Sequence, residues 1–188
     1  LGMPTSTGAG PTWNDGTTGP RTDPAQRVRS FGAEAAAGGS ETYTFSVDRP
    51  GSYVYHSGTH PQKQVYMGLY GAVTQNAVDA DELAGIAAEA YPGVTYENEV
   101  LLFYSDIDPE HNASVNELYN PTGTVIPYST SIHYHARWFL INGEPYVDGV
   151  TEDISAGAAG ERTLLRLFSA AGETHVPVLQ GLTMTIHA

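Results

Sequence analysis

The sequence predicts an all-β fold, a β-sandwich or barrel made of short strands. Glycine, proline and tyrosine are abundant, with 21, 12 and 12 residues in a chain of 188, and only 15% of the residues are charged. Apolar and polar residues alternate in several stretches, which is the pattern of strands with one buried face. Turn signals recur about every ten residues, a spacing typical of sandwiches and barrels.

The first part of the chain predicts a loop region followed by three strands. Residues 1–30 are rich in Gly-Pro, Asp-Gly and Asp-Pro pairs, which favour loops with one or two short strands. SETYTFSV alternates and predicts a strand, and RPGSYVYH predicts a turn into a second strand. QVYMGLYGAVTQ is more continuously apolar and predicts a third strand that is buried on both faces, with Met67 in the core.

The middle of the chain loses this β pattern. Residues 76–98 are acidic and alanine-rich, and we interpret them as a linker with one or two helical turns that Asp81 caps and Pro92 stops. The predicted organisation is therefore two domains, 1–76 and 98–188, joined by a linker at 77–97.

The second domain is predicted to contain four strand regions. EVLLFYSDID and RWFLINGEPY read as strands, and Asn142-Gly143 in the latter predicts a tight turn. GERTLLRLFSA and HVPVLQGLTMTIHA predict two more. The segment after the first of these strands is predicted to be loop, and it contains a sequon at Asn112 that matters only in a glycosylating host.

Three acidic residues alternate at the end of the predicted strand EVLLFYSDID and just after it. Asp106, Asp108 and Glu110 fit a solvated loop face better than a calcium site or a catalytic carboxylate pair, because the EF-hand spacing is absent.

Composition excludes several functions. The formal net charge is −13, and no Lys or Arg lies between Lys63 and Arg137, so a nucleic-acid partner is not expected. The absence of cysteine excludes disulfides, zinc-thiolate sites and a thiolate-ligated copper within this chain. The sequence contains no run of about 18 apolar residues, so no membrane span is predicted. Hydrolase and nucleotide-binding fingerprints are absent.

The ordered motifs resemble a known family. GSYVYHSGTHPQKQVYMGLYGAV is similar to the end of the first cupredoxin domain of bacterial multicopper oxidases, where a Tyr-His-Ser-His segment precedes a Gln-x-x-x-Gly-Leu-x-Gly strand. RWFLINGEPY and GERTLLRLFSAAGETHVPVLQGLTMTIHA resemble strands of the second domain of that family. The resemblance covers residues 12–75 and 95–188. It implies cupredoxin-like Greek-key β-sandwiches, copper as the cofactor, and an extracellular or periplasmic location.

Carrying the copper ligands of the family over to this chain gives one partial match. The family builds a trinuclear copper site from four His-x-His pairs, two in the first domain and two in the last. His56 matches the first histidine of one pair, but the next histidine is His60, because position 58 is a glycine. We interpret His56 and His60 either as copper ligands or as hydrogen-bonded relics of a site. The stretch LGMPTSTG, where another pair is expected, contains no histidine.

The other histidines carry weaker signals. His133-Tyr134-His135 is a true His-x-His, and on a strand both rings would share a face. A surface pair or an adventitious metal site is favoured there over a functional one. His175 is expected to be structural, and His111 and His187 carry no specific signal.

Two functional hypotheses follow. The chain is either a cupredoxin-type module that binds copper and serves an oxidoreductase together with other segments or chains, or a metal-free cupredoxin-fold protein that pairs through open sheet edges. Each predicted domain has fewer than the roughly seven strands of a complete sandwich. We therefore expect a piece of a longer polypeptide, or a subunit completed by other segments or copies of the same protein.

Overall fold

The computed structural model describes residues 35–40, 42, 47, 49–58, 60–124 and 131–187. The elements of these residues, in chain order, are β1 (Gly51–His56), α1 (Pro61–Gln64), β2 (Tyr70–Gln75), β3 (Glu89–Tyr91), β4 (Val94–Thr95), β5 (Asn98–Ile107), α2 (Pro109–Tyr119), a 3₁₀ turn (Ser131–His133), β6 (Trp138–Ile141), β7 (Glu144–Pro145) and β8 (Thr163–Ser169). The β-rich class predicted from the sequence is confirmed. The predicted strand at 40–47 and the loop region at 1–30 lie largely or wholly outside the described residues.

The main sheet has four strands in the order β7-β6-β5-β8. β5 is its longest strand, pairing antiparallel with β6 and parallel with β8. Asn142 and Gly143 both take positive φ, 54° and 86°, which the two-residue turn between β6 and β7 requires. The Asn142 side chain accepts from the Phe103 N–H and donates to the Leu101 carbonyl, so this turn is also bonded to β5.

β1 and β2 form a separate antiparallel pair, and the contacts that join it to the main sheet include the following two. In the first, the ring of Tyr70 stacks on Phe103 with 4.9 Å between centroids, and Phe103 stacks on the buried Phe168 at 5.5 Å. In the second, the Arg166 side chain, from β8, donates to Ser52 on β1. Tyr70 pairs with His56, so the first contact holds the His56 end of β1 next to β5, whereas the second holds the Ser52 end next to β8.

The predicted third strand is shorter and more exposed than expected. Gln64 ends α1 instead of starting a strand, and β2 begins only at Tyr70. The residues of β2 are half-buried or exposed, so the prediction that this strand is buried on both faces is wrong. Met67, expected in the core, lies in the preceding turn and is 40% exposed.

The helical turns predicted between residues 81 and 89 are also wrong. Asp81 does accept from the N–H groups of Leu83 and Ala84, as a capping side chain would. The chain then turns back at Gly85, whose φ is +67°, and Ile86 pairs with Asp81. Beyond this turn β3 and β4 form a small hairpin.

Two further elements differ from the prediction in the second half. The segment expected to be loop contains α2, which starts at Pro109. The last predicted strand is not formed by residues 175–187, all of which the structure describes. Pro177 has no N–H to donate to a ladder, and Gly181 has a φ of +71°, so extended pairing is interrupted twice there.

Candidate functional site

His56 lies at the end of β1, and one nitrogen of its imidazole is bonded to the backbone. Its Nδ1 lies 2.8 Å from the carbonyl oxygen of Ser57. A carbonyl oxygen only accepts, so Nδ1 carries the proton of the neutral ring and Nε2 carries the lone pair. Metal-bound histidines commonly have this arrangement, in which a backbone carbonyl orients the ring through the other nitrogen.

His60 lies one short turn later, where α1 begins. Its carbonyl accepts the N–H groups of Lys63 and Gln64, and Pro61 occupies the first position of the helix, where a missing N–H costs nothing. The Gln64 side chain accepts from both the His60 N–H and the Ser57 hydroxyl. Gln64 therefore links the backbone that follows His56 to His60.

A pocket of about 300 Å³ lies beside His56. We call it the His56 pocket. β1, α1, the turn after α1, β2 and the residues that follow β8 surround it. Its walls include Val54, His56, Val65, Tyr66, Tyr70 and Ala170.

The second predicted histidine pair does not lie on a strand. His133 ends the 3₁₀ turn and His135 lies in the loop that follows, and both side chains are exposed. The residue between them, Tyr134, is the one that packs inward: its ring stacks on Tyr66 with 4.0 Å between centroids. Across the described parts of the chain, no three His, Asp, Glu or Cys side chains are grouped so that they could hold a metal ion.

Asp106 and Asp108, at the end of β5 and just after it, are buried, which overturns the interpretation of this stretch as a solvated loop face. Asp106 is 4% exposed and Asp108 2% exposed; Glu110 alone is in solvent. Asp106 accepts from the Tyr134 hydroxyl at 2.6 Å and from the N–H groups of Gly172 and Glu173 at 2.9 and 3.2 Å. The carboxylate thus joins the end of β5 to two separate loops.

Asp108 caps α2. Its Oδ1 accepts from the N–H groups of Glu110 and His111, and its Oδ2 accepts from the N–H of His135. Burial acts to raise the pKa of Asp108, but these three N–H groups and the charge of His111 outweigh it, so the pKa lies below its usual value. Because both carboxylates accept backbone N–H groups, their arrangement is that of structural links rather than of proton-transfer groups.

His111, which carried no signal in the sequence, is 1% exposed. Its ring packs edge-on against Tyr66 and Tyr134, at centroid distances of 5.6 and 5.4 Å. Burial lowers its pKa below the usual value; the charge of Asp108 opposes this shift and the charge of Lys63 adds to it. The sequence did contain a signal for this region, since Asp followed by Pro is typical of a helix N-terminus.

The burial of His111 predicts a pH-dependent stability. Unfolded histidine binds a proton near pH 6.5, and the buried ring in the folded chain binds it less readily, so stability from this group is lost as the pH falls through that region. We expect urea denaturation to show a larger loss of unfolding free energy between pH 8 and pH 5 in the unaltered protein than in His111→Gln. Parallel losses in the two proteins would contradict this.

Comparison with protein-family models, with curated proteins and with solved structures finds no match. Among the described residues, no helix is both long and apolar enough to cross a membrane.

Proposed function

We propose that the chain is a cupredoxin-like module of a multicopper-oxidase-like protein, and that it binds copper through His56 and His60. The observation that supports this most directly is the bond between His56 Nδ1 and the Ser57 carbonyl, which orients the ring and leaves the lone pair on Nε2. Imidazole nitrogen is a good copper ligand, and the bound ion would supply one-electron redox chemistry. The proposed fold is a Greek-key β-sandwich, and the proposed location is extracellular or periplasmic.

The module is proposed to act together with other segments or copies of the protein. The chain contains no cysteine, so a thiolate-ligated copper that collects electrons has to come from elsewhere. Two histidines also leave coordination positions open, because copper sites of this kind use three or more protein ligands. The proposed contribution of this chain is therefore part of a copper site.

Copper stoichiometry tests the proposal. We expect about one copper per chain by elemental analysis of the isolated protein, checked against its intact mass. His56→Ala should weaken copper binding by about tenfold or more, because it removes one of two ligands, while the far-ultraviolet circular dichroism stays unchanged.

The matched control is the double variant His133→Ala/His135→Ala, which removes the other predicted pair. It should retain the copper. If copper is lost in this control and kept in His56→Ala, the site lies at His133 and His135 and the proposal for His56 is wrong.

A second candidate function is that of a metal-free structural protein which pairs with neighbouring chains through its sheet edges. Two observations favour it: β8 is an outer strand of the main sheet, and the segment after it exposes several apolar side chains. The exposed residues are Val176, Val178, Leu179, Leu182, Met184 and Ile186. A copper-free protein whose mass by light scattering rises with concentration would favour this function over the first.

A further inference from the structure

The His56 pocket is lined mainly by apolar and aromatic side chains, which a metal site alone does not require. Val54 and Val65 face it from two elements, and Tyr66 and Tyr70 add ring surface. Its volume of about 300 Å³ is at the lower end of the range for small-molecule sites. A ligand of one or two fused rings is the size that fits.

The aromatic walls of the pocket are held in place by contacts behind them. Tyr66 stacks on Tyr134, whose hydroxyl donates to the buried Asp106. Tyr70 stacks on Phe103 in the main sheet. Because these rings are already fixed, a ligand would not have to order them, and less conformational entropy is lost on binding.

The polar and charged groups of the lining limit which ligands can bind in the pocket. Among the described residues that line it there is no Lys, Arg, Asp or Glu, so a charged ligand would lose its hydration without a partner. Gln62 and Ser169 also line the pocket, but both residues are exposed to solvent. The imidazole of His56 is half-buried, and with Nδ1 bonded to Ser57 it offers an acceptor at Nε2.

We propose that the His56 pocket binds a small, uncharged nitrogen heteroaromatic molecule of the indole class. Its rings pack between Tyr66 and Tyr70, and its N–H donates to Nε2 of His56. An indole N–H is a donor without lone pairs, so a single acceptor satisfies it. A buried hydroxyl would in addition need a donor for its oxygen. The proposal goes beyond the proposed function and is tested without copper, because the bound molecule and a copper ion would both use Nε2 of His56.

The test is a calorimetric titration of the full chain, treated with a chelator, at pH 8 with indole and with 1-methylindole. The two probes have the same rings, but only indole has the N–H. We expect saturable binding of one indole per chain, with 1-methylindole about fivefold weaker, the ratio that one ordinary hydrogen bond gives.

Two variants locate the binding site. His56→Phe keeps an aromatic ring and removes the acceptor, so indole should bind it no more tightly than 1-methylindole does. Ala170→Leu fills the pocket and should weaken both probes by tenfold or more. If Ala170→Leu fails to fold, Val65→Phe fills the pocket from the α1 side and serves the same purpose.

Several results would overturn the proposal. These are no saturable binding of either probe, equal affinity of the two probes for the unaltered protein, tighter binding of phenol than of indole, or unchanged binding in the filled pocket. Since the titration contains no copper, each result is independent of whether His56 and His60 bind the metal. A failure here is thus separate from a failure of the copper proposal.

Discussion

Replacing Arg166 with methionine is expected to lower the free energy of unfolding by about 3 kcal/mol, at about 1 kcal/mol for each of the three hydrogen bonds that its buried side chain donates to other side chains. Arg166 is 4% exposed. Its Nε donates to Glu99 at 2.6 Å, its Nη1 to Ser52 at 3.1 Å, and its Nη2 to Asn76 at 2.6 Å. The substitution keeps most of the side-chain volume but removes the donor to these three side chains and to the Gly51 carbonyl, 3.5 Å from Nη1. Urea denaturation measures the loss.

Arg162 provides a matched control for this experiment. It makes a similarly short ion pair, with 2.8 Å between its Nη2 and Oε1 of Glu97, but both side chains are well exposed. Exposed pairs contribute little, because water and salt screen them. Arg162→Met should therefore change the stability far less than Arg166→Met. Similar losses in the two variants would mean that burial is not what makes the Arg166 contacts important.

A double variant distinguishes lost bonds from an uncompensated charge. In Arg166→Met the Glu99 carboxylate remains, and its side chain is 29% exposed. If the isolated charge is the main cost, Arg166→Met/Glu99→Gln recovers part of the stability that Arg166→Met loses. If the main cost is the loss of Ser52 and Asn76 as partners, the second substitution recovers little.

The contacts of Arg166 also bear on the candidate site. Ser52 lies on β1, the strand that ends at His56, whereas Arg166 and Glu99 lie on the paired strands β8 and β5. Arg166 thus joins the strand that carries the proposed copper ligand to the main sheet. We infer that its loss loosens the position of the His56 pocket as well as the fold.

The sequence predicted those elements whose signals are local. The turn between β6 and β7 followed from Asn142-Gly143, because few other pairs adopt two positive φ values easily. The strand regions around β1, β5 and β8 followed from their apolar patterns. The parallel pairing of β5 with β8 was not predicted, because it joins segments far apart in the chain, such as Val100 and Leu165.

Two errors had different causes. The N-terminus of α2 was missed although Asp108-Pro109 is a recognisable cap signal, because the alternating acids suggested an exposed loop. The final strand was predicted from an apolar run, but Pro177 and Gly181 interrupt extended pairing there, and a hydrophobic pattern alone does not reveal such backbone constraints.

Of the candidate site, the sequence could indicate His56 and His60 but not the pocket around them. Tyr66 lies close to them in sequence, but Tyr134, Ala170 and Phe103 come from distant segments. No periodic pattern in the sequence indicates that Tyr66 stacks on Tyr134 or that Asp106 accepts a hydrogen bond from Tyr134. Such contacts depend on tertiary packing, so only the structure reveals them.

The second large effect is expected at Asp106. Asp106→Ala should lower the free energy of unfolding by about 3 kcal/mol, since the Tyr134 hydroxyl and the N–H groups of Gly172 and Glu173 all lose their acceptor, at about 1 kcal/mol or more each. Tyr134→Phe removes one of these three bonds and keeps the ring on Tyr66, so it should cost about a third as much. Urea denaturation of both variants gives the ratio.

Glu110→Ala is the control, because it removes a carboxylate from the same stretch of sequence. Glu110 is exposed, and its ion pair with Arg137 spans 3.9 Å, with both side chains mostly in solvent. Little change is expected there. Near-ultraviolet circular dichroism adds a second measurement, since the loop with Tyr134 should loosen in Asp106→Ala and the signal of the stacked tyrosines should weaken. Equal, small effects at Asp106 and Glu110 would contradict this prediction. They would support the interpretation of the alternating acids as a solvated loop face.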